Sequence, residues 1–205
     1  MILVGRYMSP FVRRAGIVLQ TLGLAYDRQE LSTADDKDAI RKINPVGRVP
    51  SLILEGGETI IDSHAIIDHA LEVADGSNAL LPANGPARRA ILRTSFIGQG
   101  VMEKSVASSY ERNRRPAEFV YQGWVDMVEE QAASGLAALN DLAANGGEWL
   151  HGDHITLADI NAVVAHDFGY RAVPVLMKAN DFTALAALAD RCNQLPAFAN
   201  TQFKG

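Results

Sequence analysis

The sequence predicts an α/β domain followed by an all-α domain. Three observations predict it. Short apolar runs alternate with helical patterns through residues 1–75, a Gly-, Asn- and Pro-rich stretch follows at 76–86, and beyond it every periodic segment repeats at helical spacing. The expected domains are therefore 1–75 and 87–205, joined by a linker at 76–86. The 205 residues are 48% hydrophobic and 21% charged, which suits a globular protein with a real core.

The elements follow in order. Residues 2–7 read as a buried strand. Pro10 suits the first turn of a helix, on which Val12, Ala15, Leu19 and Leu22 recur at helical spacing until Gly23 ends it. Residues 25–31 read as a second strand, and the polar stretch 32–39 leads into a short helix ending near Asn44-Pro45. Residues 51–54 and 59–61, separated by Glu55-Gly56-Gly57-Glu58, form a hairpin, and a helix continues from Ser63. Strand–helix–strand–helix–strand–strand–helix is a thioredoxin-like order. The right-handed crossover rule makes its first two strands parallel, and the hairpin adds an antiparallel edge. In the second domain, 87–109 and 116–142 are expected as paired helices with a break at 112–116. Thr156 and Asp159 form a capping box that opens a buried helix, with Ile155 placed to staple onto Ile160. A helix at 182–192 and a short segment at 196–202 complete the chain, and Trp124 and Phe168 are expected in the core.

Charge and cysteine content narrow the function classes. A net charge of −5 argues against nucleic-acid and anionic-membrane partners. No run approaches the roughly 20 apolar residues of a membrane span, and Arg6 comes too early for a secretory signal. The single cysteine, Cys192, excludes an internal disulfide and favours a reducing, cytoplasmic setting, where it reads as a buried small hydrophobe. His151 and His154 lie in a Gly-Asp loop without further ligands at usable spacing, so no metal is expected.

The chemistry-bearing residues cluster before position 75. In Asn44-Pro45-Val46-Gly47-Arg48-Val49-Pro50 a proline opens an apolar strand. A cis Val49-Pro50 bond would turn the Val49 N–H and C=O outward, toward an extended peptide ligand. Asp62 and Ser63 then open a helix whose free N–H groups attract an anion. One carboxylate, one hydroxyl and a helix N-terminus suit the ammonium and carboxylate of an α-amino acid. Ser9 precedes Pro10 at another helix start, where its hydroxyl either caps the helix or donates to a ligand.

These motifs, together with Ser9-Pro10-Phe11-Val12-Arg13, resemble the N-terminal domain of the glutathione transferases, bacterial members in particular. The resemblance covers the whole chain, and its specificity lies in residues 1–75. It implies a thioredoxin-like N-terminal domain, an all-α C-terminal domain, glutathione as co-substrate, a small electrophile as second substrate, and a homodimer. By position, Val49 would pair with the cysteinyl backbone, Asp62 would meet the γ-glutamyl ammonium, and Ser63 the adjoining carboxylate. Arg48 would approach the glycyl carboxylate, and Phe11 would pack on the ligand. Asp62 stands where the family more commonly has Glu or Gln, one methylene longer. The thiolate donor would be Ser9, with Tyr7 as runner-up because some classes use a tyrosine at the end of this strand. The electrophile pocket would lie between the halves, with Tyr110 and Arg114 as candidate lining. Serine stands where thiol-transferring relatives carry cysteine, and the serine-cysteine signature of the maleylacetoacetate isomerase branch is absent. A glutathione-binding, stress-associated protein with little turnover is the alternative.

Overall fold

The computed structural model describes residues 1–74 and 79–203, so positions 76–78 of the expected linker lie outside the described residues. Contacts divide the chain into two units, Met1–Leu81 with the segment from Asn193 onward, and Pro82–Cys192.

The first unit is built on a four-stranded sheet in the order β2-β1-β3-β4. Its strands are β1 (Ile2–Val4), β2 (Asp27–Gln29), β3 (Ser51–Ile53) and β4 (Thr59–Ile61). β1 runs parallel to β2, and β3 is antiparallel to both β1 and β4. This is the thioredoxin-like order. The helices are α1 (Pro10–Thr21), α2 (Lys37–Ile43) and α3 (Ser63–Val73). Leu3, Leu52, Val12, Ile17, Val18, Leu19, Ile66 and Ala70 are buried and form the core between sheet and helices.

β1 stops at Val4, short of residue 7, because Gly5 has φ +122° and turns the chain out of the ladder. A methyl group at Gly5 would lie 2.7 Å from Val12 and 2.9 Å from Val49, so this glycine lets α1 and the Val49 loop close on the end of β1. β2 is also shorter than the expected 25–31 and is exposed along its length, as an edge strand can be.

The C-terminal boundary differs from the expectation. Residues from Asn193 onward were expected in the helical domain, but they belong to the first unit. The Arg13 guanidinium donates to Asn193 Oδ1 at 2.9 Å, and Phe198 is wholly buried. Polar pairing and apolar burial together bring this segment back to α1. The first unit also extends past residue 75, with Leu80 and Leu81 buried.

The second unit comprises α4 (Gly85–Arg114), α5 (Gln122–Asn145), α6 (Leu157–Ala172), α7 (Pro174–Ala179) and α8 (Thr183–Asn193), whose last residue already counts with the first unit. The segment from Asn193 carries α9 (Pro196–Ala199). α4 and α6 approach closely at Gly98, where a methyl group would come within 2.9 Å of the Asn161 backbone. The capping box forms as expected, since Asp159 Oδ2 accepts from the Thr156 N–H at 2.8 Å and from its hydroxyl at 2.7 Å. Asp159 Oδ1 accepts in addition from the Leu150 N–H at 2.8 Å, which pins the preceding loop. Trp124 is 42% exposed rather than in the core. The buried positions of α5 are Val125, Val128, Ala132, Leu136 and Leu139, and Trp124 lies one residue off that stripe. Phe168 is half-buried and Cys192 is fully buried.

Candidate functional site

Three segments of the first unit carry the candidate residues: the β1–α1 loop, the loop before β3, and the start of α3. In an open α/β sheet, ligands gather at the carboxyl edge of the parallel strands, where the β1–α1 loop lies.

Ser9 is the N-cap residue of α1, yet its hydroxyl makes no capping hydrogen bond. Its backbone is engaged: the Ser9 N–H donates to the Arg6 carbonyl at 3.0 Å, and the Ser9 carbonyl accepts the first intrahelical bond, from the Arg13 N–H at 3.0 Å. The side chain is half-buried, and Phe11 beside it is partly exposed. Tyr7 takes a different course. It is 6% exposed, its hydroxyl lies 2.6 Å from that of Tyr26, and its ring faces Gly16 of α1, where a methyl group would meet it at 2.8 Å. Burial, and next the bond to Tyr26, pushes the Tyr7 phenol above its ordinary range.

The Val49-Pro50 bond is cis. Asn44, the first residue of the motif and the end of α2, organises the loop leading to it. Its side-chain amide donates to the Arg48 carbonyl at 3.0 Å, and its Oδ1 accepts from the Val46 N–H at 3.0 Å. Gly47, at φ +71°, closes the turn through its N–H to the Asn44 carbonyl at 2.8 Å. Pro50 is buried and Val49 half-buried, while Arg48 stays exposed.

Asp62 has φ +72°, a conformation that L-residues rarely adopt and that clusters at ligand sites. Its Oδ1 accepts from the His64 N–H at 2.9 Å and lies 3.2 Å from His64 Nδ1. The hydrogen bond from the His64 side chain, then the His64 N–H and the nearby Arg14 charge, holds the Asp62 carboxyl well below the usual carboxylate range. Ser63, at the first position of α3, is 2% exposed, and its hydroxyl oxygen accepts from Arg14 Nε at 3.1 Å. With that lone pair engaged, the hydroxyl proton is left to donate.

Arg14 is the residue that sequence reasoning missed. It is 2% exposed in α1. The available signal was position: Arg14 lies four residues before Val18 and three before Ile17, so it interrupts an apolar face. A buried guanidinium at the start of α3 adds positive potential to the helix end.

In the second unit, the Arg114 guanidinium stacks 3.7 Å from the Tyr110 ring centroid. Thr94 Oγ1 lies 2.9 Å from His151 Nε2, so that histidine serves the loop. Among the described residues, no group of three or more His, Cys, Asp and Glu side chains could hold a metal ion. No described helix is long and apolar enough to cross a membrane.

A thioredoxin-like sheet with a cis-proline loop and a polar helix start defines the class of the first unit, and the second unit is all-helical. Residues 3–78 match the family model for the glutathione S-transferase N-terminal domain, and residues 122–196 match that for the C-terminal domain. Maleylacetoacetate isomerase of Pseudomonas aeruginosa is 33% identical over 167 residues, 77% of this chain and 76% of that protein. The uncharacterized GST-like protein YibF of Escherichia coli (strain K12) is 30% identical over 116 residues, and the match spans 57% of each chain. A solved glutathione S-transferase from Methylobacterium radiotolerans, in complex with glutathione sulfonate, has a TM-score of 0.88 at 25% identity, covering 98% of this chain and 93% of that one. The chain belongs to the glutathione S-transferase family.

Proposed function

We propose that this chain is a glutathione S-transferase that lowers the thiol pKa of bound glutathione through Ser9 and presents the thiolate to a small electrophile. The observation that carries the reading is the Ser9 hydroxyl, which is not spent on its helix although it stands at the N-terminus of α1. Tyr7 suits the donor role less well, because its hydroxyl already faces Tyr26 inside the domain.

The magnitudes agree. A free thiol has a pKa of about 8.5, and lowering it by about two units takes about 2.7 kcal/mol of preferential thiolate stabilisation. A charge-assisted hydrogen bond supplies ~1.5–3 kcal/mol and a helix N-terminus ~0.3–1 kcal/mol. Ser9 donating to sulfur at the start of α1 covers that difference without a metal or a general base.

The remaining residues orient the tripeptide. Val49 offers its backbone to the cysteinyl unit, and Arg48 is the proposed contact for the glycyl carboxylate. The ionised Asp62 receives the γ-glutamyl ammonium, while the Ser63 hydroxyl and the α3 N-terminus, reinforced by Arg14, receive its carboxylate. Phe11 packs against the ligand. Glutathione supplies a nucleophilic sulfur, which forms a C–S bond to the electrophile as the leaving group departs or the double bond accepts the electron pair. Tyr110 with Arg114 on its ring is proposed to contact the electrophile, and a flat cationic surface favours anionic aromatic compounds. The family resemblance supports a homodimer, and the single cysteine of the sequence, Cys192, supports a cytoplasmic setting. Ser9-Pro10 in place of a serine-cysteine pair favours conjugation over the isomerase chemistry of the P. aeruginosa relative.

The test is calorimetry with glutathione combined with conjugation of chloro-dinitrobenzene. Binding with turnover supports the reading. Binding without turnover on a broad electrophile panel favours a glutathione-binding protein instead, and absence of binding overturns both.

A further inference from the structure

Arg28 reaches the ligand edge of the sheet, although it lies outside the three segments of the candidate site. Arg28 lies on β2, the edge strand, opposite Leu3 in the register. Its side chain does not stay at that level. It runs toward the carboxyl edge of the sheet, where Nη2 donates to the Gly5 carbonyl at 3.4 Å, two residues (about 7 Å of strand) beyond Leu3. There the guanidinium carbon sits 3.6 Å from the centroid of the Tyr7 ring. Nη1 pairs with Glu30 at 2.7 Å.

These contacts converge on the segment between β1 and α1. Gly5 is its first residue, Tyr7 its middle and Ser9 its last. The Gly5 N–H is bound to the Gln29 carbonyl at 2.8 Å, so β2 holds both backbone polar groups of Gly5, the N–H through its own backbone and the C=O through Arg28. The Tyr7 ring lies against Arg28 while its other contacts are with Gly16 and Tyr26. Glu30 in turn fixes the guanidinium. A planar guanidinium can lie flat on a ring while its in-plane N–H groups donate outward, a fixed geometry that the compact lysine ammonium does not reproduce.

We propose that Arg28 is a positioning residue for thiolate activation: by stacking on Tyr7 and holding the Gly5 carbonyl, it sets the loop that aims the Ser9 hydroxyl at the sulfur. This rests on the reading of Ser9 as the thiolate donor. Arg28 does not contact glutathione, so its loss alters the activation of the thiol more than its capture. A hydrogen bond that drifts from its productive geometry loses strength steeply, which makes the bound-thiol pKa the sensitive readout.

The experiment titrates the ultraviolet absorbance of enzyme-bound glutathione in the wild type, Arg28→Lys and Arg28→Met, with the glutathione Kd measured by calorimetry and kcat with a saturating electrophile. Both variants are expected to raise the bound-thiol pKa by about half a unit to one unit and to lower kcat at neutral pH, with Kd changed less than about twofold. Arg28→Lys keeps the charge, so it stands if Arg28→Met does not fold. A bound-thiol pKa unchanged in the variants, whatever happens to Tm, overturns the proposal, and so does a shift in Arg28→Met that Arg28→Lys fully restores, because charge alone would then suffice. If the wild type itself binds glutathione with an undepressed thiol pKa, or not at all, the failure belongs to the functional reading and removes this inference with it.

Discussion

Arg14 Nε donates to the Ser63 hydroxyl across 3.1 Å, tying the buried face of α1 to the first residue of α3. Both side chains are almost without solvent exposure. An arginine in such a place is stabilised only while its N–H groups find acceptors, and the serine is held in one orientation by the same contact.

That relationship predicts coupling. Ser63→Ala removes the proposed donor to the γ-glutamyl carboxylate and is expected to weaken glutathione binding about 10–100-fold, the worth of a hydrogen bond to a charged group. It also leaves Arg14 Nε without its acceptor, a cost of about 1–3 kcal/mol in stability. Arg14→Lys, which cannot reproduce the guanidinium geometry, is expected to weaken binding about tenfold. Calorimetry on the two single variants and the double variant should show losses that fall short of additive. Strictly additive losses would mean that Arg14 does not act through Ser63.

Ser9 and Tyr7 separate cleanly. Ser9→Ala should raise the pKa of enzyme-bound glutathione by about one to two units, with little change in stability because its hydroxyl caps nothing. Tyr7→Phe should leave that pKa unchanged and cost about 1 kcal/mol of unfolding free energy, the loss of its bond to Tyr26. Ultraviolet titration and urea unfolding of the two variants give the four values. The opposite pattern would transfer the donor role to Tyr7.

Gly5→Ala should be among the most damaging single substitutions in the first unit. Its φ of +122° disfavours any side chain, and the new methyl would stand 2.7 Å from Val12 and 2.9 Å from Val49. Strain and overpacking together should cost at least about 2 kcal/mol and weaken glutathione binding by displacing Val49. Gly57→Ala is the control. It shares a positive φ, at +85°, but has open space around it, so only about 1 kcal/mol is expected and no loss of affinity. Urea midpoints and calorimetry of the pair settle the contrast.

Much of the candidate site's local structure was legible because its residues sit at chain punctuation. Pro50, Asp62-Ser63 and Ser9-Pro10 mark a strand start and two helix starts, where one residue type has few permitted roles. The capping box at Thr156 and Asp159 was readable for the same reason. What was not legible depends on distant packing. Arg14 carries no local mark of burial beyond its place on an apolar face, and its acceptor is 49 residues away. The return of the segment after Asn193 to α1 rests on a contact with Arg13 spanning 180 residues. Periodicity reports which face of a helix is apolar, not which unit it packs on. Trp124 shows the converse error: a large apolar residue is expected in the core, yet its position lies off the buried stripe of α5.

Cys192 predicts an alkaline weakness in the fold. Burial, aided by the charge of Asp159, pushes the Cys192 thiol up to about 12. In the unfolded chain the thiol ionises near its ordinary value, so above about pH 9 the unfolded state has lost a proton that the folded state retains. The folded-state pKa is the raised one. Stability from this residue is therefore complete below about pH 9 and declines as pH rises toward about 12. At about pH 10 the loss from this one group should be about 1.5–2 kcal/mol. Urea unfolding of the wild type and Cys192→Ala at about pH 7 and about pH 10 isolates the effect, since other titrating groups contribute equally to both proteins. The alanine variant should start less stable, having lost buried volume, and then lose less on going to alkaline pH. Equal losses in the two proteins would show that the thiol is not shielded in the folded state.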